Sequence, residues 1–149
     1  MTPKRIYISG QITGLPLTKA MTLFNEAEFK IKQEGNIPIN PFKVSPYHPN
    51  KQWIDYMVDD VKEMLTCANI YKLQNWKNSK GAKIEVLLFS LAKNYQSYLD
   101  EKEIQKILYT QEILEAATQV LTKILEQTPQ NQTATYLLSK LKTITPCNH

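Results

Sequence analysis

The feature that most constrains this chain is an alternation of short strand-like runs with helical stripes. Lys4 to Ser9 (Lys-Arg-Ile-Tyr-Ile-Ser) is a β-branched and aromatic run closed by Gly10. After the loop Gln11 to Leu17, the residues Ala20, Leu23, Phe24, Ala27, Phe29 and Ile31 fall near helical spacing, and Gly35 supplies a stop. Ile37-Pro-Ile39 predicts a second strand, which Pro38 confines to an edge or to a strand's first residues. Trp53 to Cys67 repeats apolar residues at Trp53, Met57, Val61, Met64 and Leu65, a second helix; Asn69 to Leu73 predicts a third strand, and a third helix begins near Ser79. Such alternation predicts an α/β, three-layer fold around a parallel sheet. Pro41, Pro46 and Pro49 argue against regular structure from Asn40 to Lys51, and a poor fourth strand is expected between Lys93 and Leu99.

From Asp100 the pattern changes. Ile104, Ile107, Leu108, Ile113, Leu114, Ala117, Val120, Leu121, Ile124 and Leu125 form a sustained helical stripe, broken by Pro129 and followed by a short helix from Ala134 to Leu141. The reading is an α/β domain over residues 1–99 with a helical C-terminal extension over residues 100–149. A chain of 149 residues with 42% hydrophobic content suits one compact domain with an appendage.

The net charge of +4 arises from 18 basic and 14 acidic residues spread without a Lys/Arg cluster, which disfavours nucleic-acid binding. No run has transmembrane length, and the first apolar run is too brief for a signal peptide, so a cytoplasmic protein with no membrane partner is expected. Cys67 and Cys147 make neither a disulfide framework nor a metal spacing, His48 and His149 are isolated, and reduced thiols with no metal site are expected.

Glu85 is the one acid between Glu63 and Asp100, and its neighbours Ile84, Val86, Leu87 and Leu88 predict a largely buried helix. An acid in a first helical turn contributes about 0.3 to 1 kcal/mol through the helix dipole alone, but an unpaired carboxylate in such surroundings is costly, so a polar purpose is expected. Ser79 to Ala82 at the start of the same helix offers a hydroxyl and backbone N–H groups, a combination that suits a phosphate and equally an ordinary Ser N-cap. Three of the four glycines, Gly10, Gly14 and Gly81, lie in loops after predicted strands, where parallel α/β sheets bind ligands; single glycines there also mark plain turns. A second acidic feature is Asp59-Asp60: about 100° apart on a helix, at most one of the two faces the sheet, and periodicity does not choose which. An Asp and a Glu meeting in a cleft would supply a nucleophile and an acid/base partner, as on glycosidic bonds.

Taken in order, Tyr7-Ile-Ser-Gly10-Gln-Ile-Thr-Gly14, Asn40-Pro-Phe42, Trp53-Ile-Asp-Tyr-Met57, Asp60, Cys67, Ile70-Tyr71, Trp76 and Ser79-Lys-Gly-Ala-Lys-Ile-Glu85 resemble small bacterial and phage proteins related to nucleoside 2-deoxyribosyltransferases, over about residues 4 to 93. The resemblance implies a flavodoxin-like (Rossmann-like) sheet and cleavage or exchange of the N-glycosidic bond of a (deoxy)nucleoside or its 5′-monophosphate, without a metal or organic cofactor. It places the family's catalytic carboxylate on Glu85, a supporting acid on Asp60 and the aromatic residue near the reacting sugar on Tyr7. Substrate contacts are implied at Ser9, Gly10, Gln11, Ile12, Thr13, Ser79 and Gly81.

Six residues before the nucleophile, transferases acting on free nucleosides tend to carry Asp, whereas the related monophosphate N-glycosidases carry Ser, as here at Ser79. A hydroxyl at a helix N-terminus accepts a phosphate that a carboxylate would repel, so a nucleotide monophosphate is the expected substrate. The same glycosidases hold phosphate with Ser and Arg in the first loop, where this chain has Gln11 and Thr13. A homo-oligomer is expected, because the helix from Ala82 to Ala92 is apolar on more than one face. The alternative function is a nucleotide-binding or sensing module acting through its C-terminal helices, and a third is a structural α/β protein in which Glu85 is satisfied by a buried hydrogen bond.

Overall fold

A computed structural model describes residues 2–147; His149 lies outside the described residues. The architecture is mixed α/β and mostly helical, with one three-stranded parallel sheet formed by β1 (Arg5–Ser9), β2 (Ile37–Ile39) and β3 (Asn69–Lys72) in the order β2-β1-β3. Tyr7 lies in register with Ile39 on one side and Ile70 on the other. The helices are α1 (Leu17–Gln33), α2 (Pro41–Val44), α3 (Trp53–Met64), α4 (Lys80–Ala92), α5 (Gln96–Leu99), α6 (Lys102–Leu108), α7 (Gln111–Gln127) and α8 (Gln132–Leu141), with a 3₁₀ turn at Trp76–Asn78. The chain divides into two compact units, Met1–Ala82 and Lys83–His149, and the division falls inside α4.

In the first unit, α1 crosses from β1 to β2 and buries Ala20, Phe24, Ala27, Glu28 and Ile31. Phe24, Ala27 and Ile31 form a cluster with Ile8 of β1 and with Leu73, and Ile6, Ile12, Leu23, Phe42 and Tyr71 pack around it. Because side chains alternate along a strand, Ile6 and Ile8 share this face and Tyr7 and Ser9 take the other. Phe24 meets Phe42 edge to face at 5.4 Å between ring centres. Gly35, with φ 82°, ends α1 in the left-handed conformation that glycine adopts without strain.

Asn40 to Lys51 is more ordered than its prolines predict. The Asn40 side chain accepts the Phe42 N–H at 3.0 Å and Pro41 occupies the first helical position, so Asn-Pro starts the short helix α2 instead of breaking a structure. The rest of the segment is pinned to α3: Ser45 Oγ donates to Asp59 Oδ2 at 2.8 Å, Lys51 Nζ donates to Ser45 Oγ at 2.6 Å and reaches Asp59 Oδ2 at 3.0 Å. Tyr56 Oη accepts the His48 N–H at 3.0 Å.

In the second unit the expected fourth strand is absent: Asn94 turns the chain with φ 58° and Gln96–Leu99 is helical. Polar Asn, Gln and Ser in that stretch leave little for a sheet face to bury. The long apolar stripe divides into α6 and α7 where Thr110 caps α7 by accepting the Ile113 N–H at 3.2 Å. Ile84, Val86, Leu87, Leu88 and Phe89 of α4 are all buried. None of the helices among the described residues is long and apolar enough to cross a membrane.

Candidate functional site

The carboxyl ends of the three parallel strands are Ser9, Ile39 and Lys72, and the loops leaving them share one edge of the sheet. The chain winds from β1 out to β2, then returns past β1 to β3, so the order reverses between β1 and β3. Crevices at such reversals are where open parallel sheets take ligands.

Here the two loops come together closely. Leu73 N–H donates to Ser9 O at 2.8 Å. A Cβ on Gly10 would lie 2.5 Å from Leu73 Cδ1 and 2.8 Å from Leu73 Cβ and Cγ, so only glycine fits. Leu73 Cβ is fixed by the backbone and cannot rotate away. Gly10→Ala is therefore expected to cost about 1 to 3 kcal/mol in urea unfolding. Leu73→Ala in the same chain is expected to recover part of that loss, giving less than the sum of the single costs. Beyond Gly10, Gln11 N–H donates to Asn75 Oδ1 at 3.0 Å and Gln11 Nε2 donates to Thr13 O at 3.1 Å.

The start of α4 adjoins the first turn of α3. Ser79 Oγ accepts the Ala82 N–H at 3.0 Å, the expected cap. Lys80 Nζ lies 5.0 Å from the centre of the Trp53 ring, and a Cβ on Gly81 would lie 3.1 Å from Met57 Sδ. Lys80 and Gly81 thus lie against Trp53 and Met57 within the first unit.

The acids separate in the way that periodicity left open. Asp60 is 7% exposed, whereas Asp59 is committed to Ser45 and Lys51. Burial raises the Asp59 carboxyl, but the Ser45 hydrogen bond and Lys51 outweigh it and hold the group below its ordinary value. Tyr7 and Ser9 on β1 are fully buried, and Glu85 on α4 is 5% exposed. Each of Tyr7, Ser9, Asp60 and Glu85 has a polar or electrostatic partner. Tyr7, Ser9, Gly10, Gln11, Ile12, Thr13, Asp60, Ser79 and Gly81 belong to the first unit, and Glu85 lies three residues into the second.

Two features were not signalled by the sequence. Asn75 meets Gln11 across 64 residues, a contact that no local pattern announces. Glu28, buried on α1, accepts Asn40 Nδ2 at 3.1 Å, Lys32 Nζ at 3.1 Å and Lys43 Nζ at 2.6 Å. Cys67 is buried, and burial pushes its thiol up despite the nearby Arg5. Among the described residues, no three His, Cys, Asp or Glu side chains gather as a metal-ligand set.

No curated protein matches the chain. No solved structure matches it either. A family profile described as a domain of unknown function, DUF4406, matches residues 4–97, which contain β1 through α4 and every residue of the candidate site. The chain belongs to the DUF4406 family.

Proposed function

We propose that this protein cleaves or exchanges the N-glycosidic bond of a deoxynucleoside 5′-monophosphate through a carboxylate nucleophile, Glu85. The observation that carries the reading is a nearly buried carboxylate one turn beyond a helix start that presents Ser79, Lys80 and Gly81 together. A carboxylate shielded from water is a stronger nucleophile and electrostatic partner than a solvated one, and the helix start suits an anion. The ordered likeness to nucleoside 2-deoxyribosyltransferases supports the same assignment.

In this reading a Glu85 oxygen attacks C1′ of the sugar while the C1′–N bond breaks, and the base leaves with a proton taken from an acid or from water. The resulting glycosyl ester is opened at C1′ by water, or by the nitrogen of a second base, which restores the Glu85 carboxylate. Asp60 assists base departure or orients a sugar hydroxyl, Tyr7 lines the sugar, and Ser9, Gly10, Gln11, Ile12 and Thr13 with Ser79 and Gly81 hold the 5′ end. The fold that accommodates this is a three-layer, flavodoxin-like one. Right-handed crossovers on either side of β1 would put α1 and α3 on opposite faces of the sheet, which supports that layering.

The test is release of free base from the four deoxynucleoside 5′-monophosphates and the four matching nucleosides. Faster release from the monophosphates is expected, and no release from any of the eight would sink the proposal. Lys80, the cation beside Ser79, is expected to matter only where a phosphate is present. Lys80→Ala should raise the KM for monophosphates about tenfold and leave that for nucleosides unchanged, since one charge-assisted contact is lost.

A further inference from the structure

The Gln11–Gly14 loop has no charged side chain, so it can hold a substrate only through neutral dipoles: its peptide groups, the Gln11 side-chain amide and the Thr13 hydroxyl. Dipoles of this kind act by direction: a loop that samples several orientations loses most of its hold, whereas a cation would not. Whatever fixes the peptide planes of this loop therefore governs affinity.

Both amides of Gln11 are held. Its side chain turns along the loop to Thr13 O, at 3.1 Å, and its backbone N–H is held from outside by Asn75 Oδ1, at 3.0 Å. Asn75 is itself firmly placed. It sits between Leu73, locked to Ser9 and Gly10, and the buried Trp76, whose N–H donates to Leu73 O at 3.1 Å. The side chain spans the crevice at which the strand order reverses.

We infer that Asn75 is a positioning residue that sets the orientation of the Gln11–Gly14 loop and through it the affinity of the site for its substrate, an inference that rests on the function proposed above. In this reading Asn75 acts on the substrate through the Gln11 N–H that it holds. Its carbonyl oxygen orders the loop that does the holding, so its loss is felt in binding and not in chemistry.

Asn75→Ala should let the Gln11 amide exchange about tenfold faster in NMR hydrogen exchange, the factor that one hydrogen bond represents. It should raise the KM for whichever deoxynucleoside monophosphate the wild type cleaves by about three- to tenfold, with kcat within about twofold. Asn75→Asp keeps an acceptor oxygen and should keep the protection of Gln11; it is read by exchange and not by KM, because its charge acts on an anionic substrate directly. If Asn75→Ala does not fold, Asn75→Ser, whose hydroxyl is too short to reach, carries the same comparison.

Unchanged Gln11 exchange, or faster exchange with KM unaltered, overturns the inference. So does a fall in kcat and melting temperature with KM unmoved, which marks a purely structural residue. If the wild type binds the four monophosphates without cleaving them, the proposed activity fails while the same contrast, read as Kd, still decides the role of Asn75. If it neither binds nor cleaves them, both ideas fail.

Discussion

Glu85→Gln is expected to lower release of free base by at least about a thousandfold while the far-UV circular dichroism stays that of the wild type. The neutral amide keeps the size of the side chain but has no lone pair basic enough to form a glycosyl ester. Burial makes the distinction sharp. Glu85 is 5% exposed, with Ile84 at 0% and Val86 at 1% beside it, so bulk water does not readily replace the missing nucleophile. Acid-quenched wild-type protein mixed with substrate should carry the mass of one sugar phosphate, and Glu85→Gln should not. Asp60→Asn should be milder, about a hundredfold, as suits a group that aids departure or orientation without forming the bond. Activity of Glu85→Gln within tenfold of wild type would make Glu85 a structural carboxylate and remove the mechanism.

Much of the fold was legible because its elements obey their periods. β2 at Ile37–Ile39 was placed to the residue by its flanking Gly35 and Asn40, and α3 begins at Trp53 as its apolar repeat requires. The errors have local causes. Pro41 looked like a breaker but serves as a helix start, because Asn40 before it accepts the Phe42 N–H. Ten apolar positions from Ile104 to Leu125 looked like one stripe, and the Thr110 cap that divides them lies between two matching periods. Alternation predicts a strand before Leu99, whereas Gln96–Leu99 is helical.

Of the candidate site, Glu85 is legible as an acid out of place among apolar neighbours, and Asp59-Asp60 as an acidic pair. The choice between Asp59 and Asp60 was not, because it depends on Ser45 and Lys51 in a loop whose path no periodicity encodes. Asn75 was invisible for the same reason, since its partner lies on another strand's loop.

Glu28→Gln is expected to cost about 2 kcal/mol at pH 7, and that cost should vanish in acid. Burial on its own would raise the Glu28 carboxyl, but hydrogen bonds from Lys43, Asn40 and Lys32 overcome it and bring the group from 4.5 down to about 2. A carboxyl depressed in the folded state favours folding wherever the unfolded chain has already ionised. The stabilisation is thus complete above about pH 4.5 and is lost as pH falls toward about 2. The shift by itself would represent roughly 3 kcal/mol. Because the ammonium ends are largely in solvent, with Lys43 67% and Lys32 60% exposed, screening reduces that figure. The partner that cannot turn to water is Asn40, which is 3% exposed and also caps α2. Glu28→Ala, which leaves the Asn40 Nδ2 without its acceptor, should therefore cost more than Glu28→Gln, whose side-chain oxygen still accepts from Asn40. Urea midpoints from pH 7 to pH 2.5 measure both. A wild-type advantage over Glu28→Gln that persisted unchanged at pH 2.5 would mean that packing, and not the ionised carboxylate, ties α1 to the end of β2.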